Sequence, residues 1–495
     1  MLNSPLQRSA PWLDAVRGLG RRRGLLMLAL ALLSFLWGVA VAHRSLPYLW
    51  FLDDAHLVRR FTGPELAQAM QGNWDVDAIE TPGYRPLTVL FNHARAYAFG
   101  ESVVAHRLFM IALLAAYLAI LQEVAHRLGT PPWQSALAGI LTIAAKNNWW
   151  NLVWIADGVH AFTALLAILA ALALISHLER PAPHKLPLSM LCAGLALLTR
   201  EDALGMLASL PALGTAFVVV REGWSADAMQ AARNLLEGKP KAALRRTSTS
   251  YQQLAPGLTT VGIYTVILVL VSAAFFAWRG MMIIPGSLPD PQFIGWADMV
   301  KWTLFPIGAT FYPTIWTLVL GASLATALLR LSEEAQLRVF LWLTCAVITA
   351  SPGMAVARPN LLLVPISFFS LYLATVAGEF GRCSRAAGVV SSVLVAATLV
   401  AATARNLEAQ LCLHPQSSIF IDGTGQILWG DFANLGIPPA RRDLLEAHLA
   451  QLGIHSAEDY SEVLPILVEE AERADRRRPD SGQDLFVPWI SFMDP

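Results

Sequence analysis

Apolar runs too long for a soluble core recur along most of the chain, and nothing constrains its folding more. Crossing a bilayer takes about 20 mostly apolar residues in helical form. Runs of this kind lie at 24–42, 105–122, 133–150, 157–176, 187–199, 203–220, 257–277, 303–329, 338–351, 361–378 and 387–404. In lipid every backbone N–H and C=O must find a partner within the protein, so such runs predict helices. Composition agrees: 55% of the 495 residues are hydrophobic and 15% charged, against about 25% charged in an ordinary soluble domain. The expectation is an α-helical polytopic membrane protein with about 11 transmembrane helices. Disorder, collagen, coiled coil and a disulfide scaffold are excluded together. Lys+Arg and Asp+Glu both number 36, so no net charge points to a nucleic-acid partner. The four cysteines, Cys192, Cys345, Cys383 and Cys412, show no metal-ligand spacing.

Charge in the loops predicts the orientation. Residues 1–23 end in Arg21-Arg22-Arg23 and read as a cytoplasmic N-terminus ahead of a membrane domain over 24–404. Ala40-Val41-Ala42 looks like a signal-peptidase site, but the run before it exceeds the usual h-region of about 7–15 residues, so the segment reads as a retained span. Arg180, Lys185, a basic loop over 222–256, Arg382 and Arg385 then also fall inside. That loop alternates apolar and basic groups, as either an amphipathic helix on the inner leaflet or a solvated linker would. An odd number of spans puts the C-terminus outside. Two polar pieces face out: a first loop at 46–105 and a small α+β tail at 405–495. In the tail, 417–421 and 426–429 flank Asp422-Gly423-Thr424-Gly425 as a hairpin would, and helices are expected after Pro438-Pro439 and from Ser456. Arg- and Ala-rich, Lys-poor usage suggests a bacterial inner membrane, with the outer face periplasmic.

The first outer loop concentrates the chemistry. Asp53 and Asp54 are adjacent just outside the first run. Each raises the cost of ionising the other, and a bilayer edge desolvates both. Both effects suit a general base working near neutral pH. A hydrated loop start explains the pair equally well. The loop continues through Trp74, Asp75 and Asp77 to Tyr84-Arg85-Pro86-Leu87, and closes at His106-Arg107. Arg85 and Arg107 are candidates for gripping a phosphate through two N–H groups, or for snorkelling at the interface. His106 alone suits a packed core position. Asp157 and His160 open a later span, where an ionisable side chain is a site candidate. Lys146 to Trp150 reads as an interfacial belt.

Taken in order, Asp53-Asp54, Tyr84-Arg85-Pro86-Leu87, Phe99-Gly100 and His106-Arg107 resemble the GT-C superfamily of membrane glycosyltransferases. Trp154-Ile155-Ala156-Asp157, Thr199-Arg200-Glu201-Asp202, Ala357-Arg358-Pro359-Asn360 and Thr403-Ala404-Arg405-Asn406 extend the likeness. It is nearest to the transmembrane O-mannosyltransferases and their bacterial relatives. The resemblance implies a GT-C-like fold with its active site on the outer face. It also implies a sugar donor carried on a polyprenyl phosphate, and inversion at the anomeric carbon. Asp53 or Asp54 would then take the acceptor's proton, and Arg85, Arg107, Arg200 and Arg358 would be candidates for the donor phosphate. Glu201 would orient one of these arginines or the acceptor, with Tyr84, His106 and Asp157 nearby. The chain departs from the family's pattern in two ways. The tail has no 34-residue repeat, and Arg200 stands where Lys is expected.

The acceptor would be a protein or a glycolipid, and the bilayer itself is the other partner. Asp53, Asp54, Asp75 and Glu201 supply the oxygen ligands a divalent ion would want, though their spacing does not define a metal site. Two other functions fit a polytopic chain: a transporter or flippase for a lipid-linked sugar, and a non-catalytic membrane subunit. Transporters place ionisable groups near the midplane and show paired halves, whereas here the charges gather at one side.

Overall fold

The computed structural model describes residues 11–46, 57–72, 74, 84–100, 102–145, 148–221, 240–282, 333–350, 363–383 and 385–413. Among them are fourteen helices and no strand. In chain order these are α1 (Pro11–Ala42), α2 (Gly63–Gln71), α3 (Pro86–Phe99), α4 (Val103–Arg127), α5 (Pro132–Ala144), α6 (Trp149–Val153) and α7 (Gly158–Glu179). After them come α8 (Lys185–Thr199), α9 (Ala203–Ala208), α10 (Leu210–Arg221), α11 (Pro240–Met282), α12 (Glu333–Ala350), α13 (Leu363–Cys383) and α14 (Arg385–Leu413).

Seven segments among the described residues are long and apolar enough to cross a bilayer, the make-up of a multi-pass membrane protein. They are Gly24–Ala42, Val103–Arg127, Gly158–Glu179, Ala203–Arg221, Leu254–Trp278, Leu363–Arg382 and Arg385–Ala404. Burial divides them. In α13 78% of the most apolar stretch lies inside the protein, and in α14 only 11% does. With little hydrophobic effect acting between helices in lipid, close approach depends on small residues. Helix α7 supplies Ala161, Ala164, Ala167, Ala170 and Ala171, all buried, and packs against α8, which contributes Ala193 and Ala196. Ser189 of α8 donates to the Ala170 carbonyl at 2.7 Å and lies 2.8 Å from the Tyr264 hydroxyl, joining α7, α8 and α11. The outer helices instead show bare aliphatic side chains, such as Val389, Val393 and Val400 on α14 and Val266 and Leu270 on α11.

Contacts sort the helix ends into two groups. At one end Arg107, opening α4, donates from Nε to the Val153 carbonyl at 2.8 Å and from Nη1 to that of Leu46 at 3.0 Å. Thr88 of α3 donates to the Thr199 carbonyl that ends α8, and Ser45 donates to Gln410 near the end of α14. Helices α1 and α14 therefore finish together. The opposite end is basic. Arg127 pairs with Glu123 and Glu179, Arg221 donates to the Leu178 carbonyl, and Arg382 pairs with Glu379.

The local sequence fixes the helix limits. Pro86 and Pro132 open α3 and α5, where a missing N–H costs nothing. Gly129, at φ +84°, follows α4 in a paired-hydrogen-bond terminus: Thr130 N–H reaches the Ala125 carbonyl and Gly129 N–H that of His126. A side chain disfavours that φ, so glycine belongs there. Thr62 and Glu65 cap α2 reciprocally, with Arg59 on Glu65 at 2.7 Å. Burial raises the Glu65 carboxyl, but the Thr62 backbone and side chain and the Arg59 guanidinium together bring it below its ordinary value.

Four of the eleven apolar runs lie outside the seven. The run at 133–150 splits into α5, 13 residues and about 20 Å long, and the single turn α6. Amides make the break: Asn148 donates to the Thr142 carbonyl, and Asn406 to those of Ile143 and Ala145. These occupy carbonyls that a continuing helix would have used. As a result Trp149 and Trp150 are buried and stacked, not an exposed interfacial belt; Lys146 and Asn147 lie outside the described residues. Helix α8 has 15 residues and α12 has 18, and the run at 303–329 lies outside the described residues. The boundaries expected at 256 and 405 both fall within helices, since α11 is continuous from Pro240 and α14 to Leu413. The rest of the tail, with its expected hairpin and helices, lies outside the described residues.

Candidate functional site

Three stretches meet at the end of the bundle where α1 and α14 finish: the start of α3, the turn entering α7, and the turn from α8 into α9. Helix α8 stops at Thr199, leaving Arg200, Glu201 and Asp202 as a polar turn between two apolar helices. Arg85 precedes Pro86, so it stands at the mouth of α3 with its side chain clear of the helix. Asp157 precedes α7, and His160 follows it by three residues, one turn up the same face.

Opposite charges pair off in this cluster. Arg85 donates to both Glu201 oxygens, from Nε at 2.9 Å and from Nη2 to the other, and its guanidinium lies 5.1 Å from the Trp74 ring centre. Arg200 donates from Nε to Asp202 Oδ1 at 3.1 Å. The other Asp202 oxygen is 3.1 Å from His160 Nδ1, and His160 Nε2 is 3.0 Å from Asp157 Oδ1. The side chains of His160 and Asp157 are each 2% exposed, that of Asp202 10%. Burial pushes the Asp202 carboxyl up. The Arg200 guanidinium and then His160, with Arg85 behind them, overcome it and hold the group well below the usual carboxylate range.

Arg200 differs from the other arginines. Its Nη1 and Nη2 bond nothing among the described residues, and its side chain is 14% exposed. One nitrogen is held in place and the two-pronged edge is presented. Arg107 is fully buried against the Val153 and Leu46 carbonyls, so it ties the exit of α1 to the end of α6.

Other residues expected at the site sit around it. The Tyr84 hydroxyl donates to the Met70 carbonyl at 3.1 Å, holding α2 beside the start of α3. His106 is buried with Nε2 3.0 Å from the Gly100 carbonyl and its ring edge-on to Phe99. Asp53, Asp54, Asp75, Asp77 and Arg358 lie outside the described residues. Among the described residues no group of three or more His, Cys, Asp or Glu gathers as an ion site, and Glu201 has both oxygens on Arg85.

Three residues matter more in the structure than in the sequence. Asp202 stands in the Thr199 to Asp202 motif without a role of its own there. His160 is a candidate only through its place beside Asp157, and their spacing puts both on one helix face. Arg95 gave no signal: it lies midway along α3, is buried, donates to the Ile155 carbonyl at 2.8 Å and sits over the Phe91 ring. No protein-family model matches the chain, and no curated protein matches it.

Proposed function

We propose that the protein is an inverting glycosyltransferase that moves a sugar from a polyprenyl-phosphate donor to an acceptor at one membrane face. One observation carries the reading most directly: at the end of the apolar bundle where α1 finishes, a few residues ahead of Asp53 and Asp54 in the chain, Arg85, Glu201, Arg200, Asp202, His160 and Asp157 gather in one cluster. A lipid-borne phosphate needs a cation at the membrane edge, and the open edge of Arg200 has that form. Arg85 and Arg358 are the further candidates for the same phosphate.

In the reaction, Asp53 or Asp54 accepts the proton of the acceptor's O–H. The freed oxygen attacks the anomeric carbon from the face opposite the phosphate. The bond from that carbon to the phosphate oxygen breaks, the electron pair leaves on the polyprenyl phosphate, and the configuration inverts. Negative charge grows on the departing phosphate, so a preorganised guanidinium acts most strongly in the transition state. The finer architecture belongs to the same proposal: a GT-C-like fold of about 11 spans, basic end cytoplasmic and site end periplasmic, with an α+β tail on the site side.

The test is label transfer by purified protein from a panel of radiolabelled polyprenyl-phosphate sugars, in native lipid extract containing acceptors. Asp53→Asn and Asp54→Asn should insert normally, and at least one should lose turnover by about 100-fold or more. Full activity in both removes the general base. Donor binding without transfer would favour a carrier over an enzyme.

A further inference from the structure

Asp157, His160, Asp202 and Arg200 form an unbroken row. Asp157 Oδ1 meets His160 Nε2 at 3.0 Å, His160 Nδ1 meets Asp202 Oδ2 at 3.1 Å, and Asp202 Oδ1 accepts from Arg200 Nε at 3.1 Å. A neutral imidazole has one N–H and one lone-pair nitrogen. With a carboxylate oxygen at each ring nitrogen, a neutral ring would point its lone pair at one of them. A proton on both nitrogens removes the conflict and alternates the charges along the row: minus, plus, minus, plus. With both carboxylates ionised, this is the state in which the four groups sum to zero in a site that is nearly closed to water, where an uncompensated charge is costly. Asp202 bridges two different cations, so the position of Arg200 depends on His160 through it.

We propose that His160 and Asp202 are positioning residues. Together with Asp157 they hold the Arg200 guanidinium by its Nε and leave the Nη1–Nη2 edge facing an incoming phosphate, with His160 as an imidazolium. The binding part rests on the function proposed above; the protonation of His160 does not. Other charged groups lie on each neighbouring stretch. Arg200 and Glu201 come from the turn into α9, Arg85 and Arg95 from α3, and Asp157 from the turn into α7. Arg95 is close enough that its Nη1 would lie 2.7 Å from a Cβ added at Gly158. Arg107, at the start of α4, is held on the Val153 carbonyl four residues before Asp157.

Two measurements test this on the full chain in lipid nanodiscs. The first is ¹⁵N NMR of histidine-labelled protein at pH 7, with the His160 signals assigned by their loss in His160→Gln or their shift in Asp202→Asn. Two N–H resonances from one ring are expected, and a single N–H with a bare nitrogen would overturn the imidazolium. The second is binding of polyprenyl phosphate without sugar. His160→Gln, Asp202→Asn and Arg200→Gln should each weaken it by about tenfold or more. Adding His160→Gln to Arg200→Gln should then weaken it no further, because the histidine acts through the arginine. Losses that multiply in the double variant would overturn the positioning role. If the unaltered protein binds no polyprenyl phosphate, the glycosyltransferase reading and the phosphate edge fail together, while the NMR result still decides the state of His160.

Discussion

Arg85 and Arg200 come from different stretches of chain to the same patch, yet they are held in opposite ways. Arg85 gives Nε and Nη2 to one carboxylate and rests against Trp74. Arg200 gives only Nε. Asp202, which receives it, is held ionised by the cations around it, and this has a consequence for pH. A carboxyl whose folded pKa is depressed adds stability that is fully present above its unfolded value, about 3.9. The contribution is lost as pH falls through the lower folded value. Asp202→Asn should therefore cost about 3–5 kcal/mol, with no reduction at pH 5 relative to pH 7. Unfolding followed at both pH values checks this; a cost that shrinks by pH 5 would mean that Asp202 titrates in the ordinary range. The residue types at the site were legible in the sequence because Arg, Asp and Glu beside apolar runs stand out. Their pairing was not. Nothing in the spacing distinguishes an arginine held on backbone carbonyls, such as Arg107, from one with an open edge, such as Arg200.

At the level of elements, two glycines show how packing decides the sign of a substitution. Gly194, inside α8, has nothing within 4 Å of where a Cβ would stand. Gly194→Ala should raise stability by about 0.5–1 kcal/mol through helix propensity alone. At Gly158 the new carbon would lie 2.7 Å from both Arg95 Nη1 and Met110 Cγ. Arg95 is pinned to the Ile155 carbonyl and cannot swing aside freely. Gly158→Ala should cost about 1–3 kcal/mol, and thermal unfolding of the two variants in nanodiscs should show shifts of opposite sign. Helices read best from sequence where an apolar run is unbroken, as in α4, α7 and α13. The run at 133–150 looked the same, yet it breaks at Ala145 because Asn406, 261 residues later, takes the carbonyl. Hydropathy averages over such a contact and has no knowledge of the distant amide.

Across the whole molecule the helix ends fall into two camps, which makes topology a direct test. Ala67, exposed on α2, belongs to the site end, and His184, exposed in the turn between α7 and α8, to the basic end. Ala67→Cys should react with a membrane-impermeant maleimide on intact cells, and His184→Cys only after permeabilisation. Labelling of both from one side would break the two-ended arrangement. The site end also has an electrical character that follows from its pairing. Arg85 and Arg200 each already face a carboxylate, so the field of these two pairs is that of neighbouring dipoles and fades within a short distance. These pairs do little to draw in an anion from bulk water, and their contribution to its rate of arrival should barely respond to added salt. A ligand that travels in the bilayer needs no such attraction. It searches in two dimensions and meets the cluster at contact range, where the open edge of a single guanidinium is enough to stop it.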